Sequence, residues 1–210
     1  ENPMTDGRTV SLERMRAVYQ AARERGLQVH LDGARIFNAA CALGTSAKEI
    51  AAYADSVMFC LSKGLCSPVG SMLCGTRDFV AQARRNRKIL GGGMRQAGVL
   101  AACGMVSLTT MVDRLSEDHE NARYLAGRLA DIDGITVNMD EVETNMVFAA
   151  IKVPNFDSQQ YTEYMLDRQI KVYGALSEET KLYRFVTHHG ITRQDIDLVI
   201  TELQHYIDTL

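Results

Sequence analysis

Two short apolar runs, each ending in a charged residue followed by glycine, narrow the folds open to this chain more than any other feature of its 210 residues. They are LQVHLDGA, residues 27–34, and DSVMFCLSKG, residues 55–64. Both read as short buried strands that stop where the charge appears. Ahead of the first, Ser11 is placed to cap a helix. Leu12, Met15, Val18, Tyr19 and Ala22 then share one face until Gly26 ends it. A helix passing at once into an apolar strand, with further apolar runs at DSVMFCLSK and GSMLCGT, is the rhythm of an α/β layer fold.

After Gly75 the pattern turns to long helical stretches, RDFVAQARRNRKI and RQAGVLAACGMVSLTTMVDRL, separated by a glycine loop at GGGM. A domain boundary is expected between residues 113 and 120. Beyond it, strands are expected at ITVNM, TNMVFAAI, IKVYGA and KLYRFVTH. Helices are expected at DSQQYTEYMLDRQ and TRQDIDLVITELQHYI, which together make a small α+β unit.

Composition excludes several classes of function. The net charge of −3, with both signs mixed along the chain, leaves no electrostatic footprint for nucleic acid or anionic lipid. No apolar run is long enough for a membrane-spanning helix. The five cysteines, Cys41, Cys60, Cys66, Cys74 and Cys103, form no close pairs, which fits reduced thiols in the cytoplasm. The five histidines are scattered without metal-ligand spacing, so no metal site is expected. P-loop, GxSxG and GxGxxG signatures are lacking. The opening residues read as the end of a loop entering a helix, and from this a preceding segment is expected.

Lys63 emerges where an apolar strand ends, a place where desolvation favours the neutral amine that attacks carbonyls. The plain alternative is a surface lysine closing a strand. Asp32 ends the other strand and could accept a hydrogen bond from the protonated ring nitrogen of pyridoxal 5'-phosphate (PLP), or else cap the helix after Gly33. Parallel strands would bring both groups to one edge of the sheet. Arg35, three residues after Asp32, and Arg184 in the strand KLYRFVTH carry the planar donor fork that suits a carboxylate. For each, a structural ion pair or a solvated arginine is the alternative. Lys88 and Arg95 flank the glycine loop at the entrance to a helix, where anions bind.

Four segments extend this reading. HLDGARIFNAA, SVMFCLSKGLCSPVGSMLCGT, GGGMRQAGVLAACG, and TNMVFAAI with RFVTH resemble, in order and spacing, the low-specificity L-threonine aldolase family. The resemblance implies a fold-type-I PLP enzyme, related to β-eliminating lyases and aminotransferases. Residues 1–115 would be the C-terminal part of its large α/β domain and residues 116–210 the small C-terminal α+β domain. It implies Lys63 as the Schiff-base lysine, Asp32 as partner of the pyridine nitrogen, and Arg35 and Arg184 at the substrate carboxylate or cofactor edge. Lys88 and Arg95 would be basic groups reaching an active site, that of a neighbouring subunit. The implied reaction cleaves L-threonine or L-allo-threonine to glycine and an aldehyde in a cytoplasmic homo-oligomer, a dimer or tetramer. Family chains are substantially longer at the front, where they carry a glycine-rich phosphate turn and a ring-stacking histidine. The missing segment is therefore an expected partner, as continuous chain or as a separate chain, and the 210 residues alone are expected to be inactive. Other fold-type-I PLP chemistry and a non-catalytic remnant domain are the alternatives.

Overall fold

The computed structural model describes residues 7–210. They divide into two units, Thr9–Ser116 and Glu117–Leu210, the second also taking in Gly7 and Arg8.

In the first unit, Ser11 caps α1 (Leu12–Arg23) by accepting the Arg14 N–H, and Gly26, at φ +66°, turns the chain out of the helix. The chain then enters β1 (His30–Asp32), crosses over through α2 (Ile36–Leu43) and α3 (Ala47–Ala51), and returns as β2 (Ser56–Cys60). β1 and β2 are parallel, with Asp32 level with Met58. β3 (Ser71–Cys74) closes antiparallel against the other side of β2, Cys60 opposite Ser71. Ser46 and Glu49 form a reciprocal cap on α3, and these bonds hold the exposed Glu49 carboxyl down at about 2. Ile36, Ala39 and Ala40 of α2 pack with Ile50 and Val57, and Phe37 meets Phe59 edge-on with ring centroids 5.4 Å apart. α4 (Arg77–Ile89), capped by Thr76, and α5 (Gly98–Val106) follow. A π-helical turn, Ser107–Met111, continues α5.

The second unit runs α6 (Leu115–Ala130), β4 (Ile135–Val137), a 3-10 turn at Met139–Glu141, β5 (Met146–Ile151), α7 (Ser158–Asp167), β6 (Leu182–Val186) and α8 (Arg193–Ile207). Its sheet, ordered β4-β5-β6, is antiparallel throughout. The Thr192–Asp195 capping box starts α8, whose Ile196, Ile200, Leu203 and Tyr206 join Leu125, Leu129, Val147 and Ile151 in the core. Phe156, Tyr161, Tyr183 and Tyr206 meet within it in edge-on and tilted contacts. The strand expected at IKVYGA does not form. Ile170, Val172 and Ala175 are partly buried against the core, but the segment carries no ladder. Leu176 N–H instead donates to Leu182 O and Leu182 N–H to Ser177 O, closing a tight hairpin before β6. Alternating side chains found a hydrophobic surface without a backbone partner.

A buried polar group sits where β5 starts and β6 ends. Thr187 Oγ1 donates to Asp118 O at 2.6 Å, Asn145 Nδ2 donates to Thr187 O at 2.7 Å, and His119 lies beside them, 3% exposed. Burial first, then the Arg123 charge, lowers the His119 imidazole to about 4 against a partial opposing pull from Asp118. A depressed folded value means that this stability is present above the ordinary 6.5 and is lost as pH falls towards about 4. Urea denaturation from pH 7 to 4 is therefore expected to show wild type losing on the order of 3 kcal/mol more than His119→Gln. Parallel pH profiles would contradict the assignment. Gly33→Ala is a second test, because its new Cβ would lie 2.9 Å from Met58 O and 3.2 Å from Ile36 Cβ. A loss of roughly 1–3 kcal/mol is expected, and an unmoved urea midpoint would show that this contact is not tight.

Candidate active site

Parallel pairing sets the geometry. Adjacent strands lie about 4.8 Å apart, and β1 and β2 run the same way in register, so whatever leaves their C-terminal ends emerges on one edge of the sheet. Asp32 is the last residue of β1, and Lys63 follows the end of β2 by three residues.

Asp32 does not cap α2. That position belongs to Arg35, which makes no side-chain cap bond. Asp32 Oδ1 instead accepts the Ala34 N–H at 3.1 Å, a tight local turn that leaves the carboxylate exposed at the strand end. Its second oxygen accepts no hydrogen bond among the described residues. Gly33 N–H donates to Met58 O at 2.9 Å and carries the β-pairing one residue past Asp32, which holds the turn against the neighbouring strand.

Lys63 stands on a loop, residues 61–70, that closes on itself. Leu61 N–H donates to Gly70 O at 2.9 Å, Ser67 N–H to Leu61 O at 3.0 Å, and Cys66 N–H to Lys63 O at 2.9 Å. Cys66 takes a left-handed φ of +58° to complete the inner turn. Leu61, Gly64 and Leu65 are buried, whereas Lys63 is exposed and its amine pairs with no acid among the described residues. The loop's apolar residues anchor it and its lysine faces outward. A Cβ on Gly64 would lie 3.0 Å from Leu115 Cδ2 and 3.2 Å from Asn38 Oδ1, so only glycine lets the chain beside Lys63 approach α2 this closely.

Asp32 and half-buried Arg35 both line a cavity of about 260 Å³, whose walls include Met15, Val18, Leu31 and Tyr53. Lys63 is not part of that lining; the sheet edge, rather than the cavity, relates it to Asp32. Lys88, in the last turn of α4, folds its side chain over the glycine loop, so that a Cβ on Gly93 would meet Lys88 Cδ at 2.7 Å. Arg95 lies exposed between that loop and α5. Arg184 belongs to the second unit, exposed on β6 opposite Phe148. Asn38 escaped the sequence reading. Its signal was a polar residue inside the apolar helix IFNAACAL, and it is 3% exposed against Gly64.

The amine of Lys63, the open carboxylate of Asp32 and the guanidinium of Arg35 are groups chemically suited to a carbonyl, a protonatable ring nitrogen and an anionic group respectively.

The chain is similar to several known proteins. The chain is 41% identical over 191 residues to the low specificity L-threonine aldolase of Escherichia coli O157:H7, covering 91% of this chain and 54% of that one. It is 39% identical over 206 residues to low-specificity L-threonine aldolase 1 of Arabidopsis thaliana, covering 97% and 56%. It thus spans about half the length of the curated relatives it matches. The solved structure of Leishmania major threonine aldolase superposes with a TM-score of 0.74 at 17% identity, over 97% of this chain and 58% of that one, a likeness of fold. The α/β fold read from the sequence, that of fold-type-I enzymes, is thereby shown. The model of the beta-eliminating lyase family matches residues 1–152, and the chain belongs to that family.

Proposed function

We propose that this chain supplies the lysine-bearing half of a PLP-dependent aldolase site that cleaves L-threonine, L-allo-threonine and related β-hydroxy-α-amino acids to glycine and an aldehyde. The observation that carries the reading is the shared edge: Asp32 and Lys63 follow the C-terminal ends of neighbouring parallel strands. The donor set fits PLP, because an open carboxylate oxygen matches a protonated ring nitrogen and an unpaired amine matches an aldehyde carbon. Once bound, PLP supplies an electron sink for the pair left on Cα when the Cα–Cβ bond breaks.

The remaining work falls to the protein. Lys63 would hold the cofactor at its aldehyde carbon, the position at which the substrate amine would also bind. Asp32 keeps the ring nitrogen protonated by accepting its hydrogen bond. Arg35, on the cavity shared with Asp32, offers a bidentate fork to the substrate carboxylate or the cofactor edge. Arg184 receives the same carboxylate role from the sequence resemblance. Lys88 and Arg95 are assigned to an anionic group at the active site of a neighbouring subunit in a homo-oligomer. The proton on the β-hydroxyl is taken by a histidine of the remaining part of the enzyme or by a water it orders, since no base is assigned among these residues. That remaining part is the partner proposed to complete the site, as continuous chain or separate polypeptide. No single described helix is long and apolar enough to cross a membrane, and all five cysteines are free, which supports a cytoplasmic setting.

The test is borohydride reduction in the presence of PLP, followed by peptide mapping. The label is expected on Lys63, and Lys63→Ala should remove both the label and the visible absorbance of bound cofactor. A band retained in that variant excludes this lysine. When the chain is combined with a polypeptide covering the rest of the relatives' length, acetaldehyde release from threonine is expected, and Asp32→Ala should lower it by roughly 100-fold or more. Ammonia or a keto acid in place of acetaldehyde would turn the assignment to elimination or transamination. Family-level turnover by the 210 residues alone would overturn the half-site reading.

A further inference from the structure

The 61–70 loop closes on itself through its backbone, but those bonds do not attach it to the rest of the unit. Its attachment comes from two kinds of contact. Leu61 and Leu65 pack with Leu115, Phe37 and Phe59, contacts that are apolar and without direction. A directional tether is the hydrogen bond between Ser67 Oγ and Ser107 Oγ at 2.6 Å, with both residues buried.

The helix side of this tether is unusual. Gly104 is the one buried residue of α5, and Ser107 the one buried residue of the π-helical turn that follows. They stand three residues apart, on one helical face, and both meet the loop: a Cβ on Gly104 would lie 3.1 Å from Leu61 Cδ1. The helix therefore touches the lysine loop through a glycine and a serine, which brings backbone close to loop. The wide turn is stabilised from within its own sequence. Thr109 Oγ1 donates to Met105 O at 2.9 Å and Thr110 Oγ1 to Val106 O at 2.8 Å, occupying carbonyls that a change of helical pitch disturbs. Ser-Leu-Thr-Thr thus encodes both the distortion and the hydroxyl it presents.

We infer that Ser107 is a positioning residue, which fixes through Ser67 the loop that carries Lys63, the proposed cofactor lysine. The inference rests on the reading of Lys63 as the cofactor lysine. A neutral hydrogen bond between buried groups is worth about a fivefold change in an equilibrium, and rather more when one partner is left unpaired.

Two measurements on the 210-residue chain test it. Hydrogen exchange reads the loop directly. In Ser107→Ala the amides of Cys66 and Ser67 are expected to exchange about fivefold faster, while that of Val147 in the second unit is unchanged. PLP titration with borohydride trapping reads the amine. Half-saturation at Lys63 should rise about fivefold, with labelling of exposed Lys48 and Lys152 unaffected, and Ser107→Thr, which keeps the hydroxyl, should restore both readouts. Unaltered loop exchange in Ser107→Ala overturns the proposal. So does faster exchange with unaltered trapping at Lys63, since the tether would then be structural only. Failure of the cofactor reading looks different: wild type itself would show no preference for Lys63 over Lys48 and Lys152.

Discussion

The parallel pairing of β1 with β2 is the constraint from which the site follows. Two strands running the same way must be joined by a crossover, and here α2 and α3 make it between Asp32 and Ser56. Direction decides the chemistry: antiparallel neighbours would send Asp32 and Lys63 to opposite edges, whereas parallel ones deliver both to the same edge. The bond from Gly33 N–H to Met58 O extends the pairing past the carboxylate, and His30 Nδ1, 2.8 Å from Ser56 Oγ, pins the strand at its other end.

On that edge the carboxylate and the amine of the proposed site are held by different means. Asp32 sits in a turn only two residues wide, tied to Ala34 N–H and backed by a glycine that cannot carry a Cβ without striking the neighbouring strand. Lys63 lies on a ten-residue loop whose ends meet between Leu61 and Gly70. Burying Leu61 and Leu65 while exposing the lysine orders the loop and leaves the lysine side chain accessible.

The second unit owes its order to a separate core. Among the described residues, eighteen buried ones form one cluster built on an antiparallel sheet, two capped helices and aromatic rings in edge-on and tilted contact. The polar group of Asp118, His119, Asn145 and Thr187 lies buried and hydrogen-bonded. Such networks favour one arrangement over its neighbours, because a slip leaves polar atoms unpaired. The absent strand at 170–175 shows the limit of pattern alone: Ile170 and Val172 alternate as a strand would, and burial accepts the alternation, yet the segment pairs with neither edge strand of the sheet.

Local signals in the amino-acid sequence were sufficient for the helix starts at Ser11 and Thr192, the turn at Gly26, the helix–strand rhythm, and the candidacy of Asp32, Arg35 and Lys63, since caps, periodicity and strand-end charges act over a few residues. Asn38 against Gly64 and Ser67 against Ser107 were beyond it. Each joins residues 26 or 40 positions apart through a single close approach, and such an approach leaves no periodic trace. The strand direction that sets Asp32 and Lys63 on one edge, and the π-helical turn that carries Ser107 to the loop, were likewise decided in three dimensions, where backbone partners must be found and buried polar atoms must be paired.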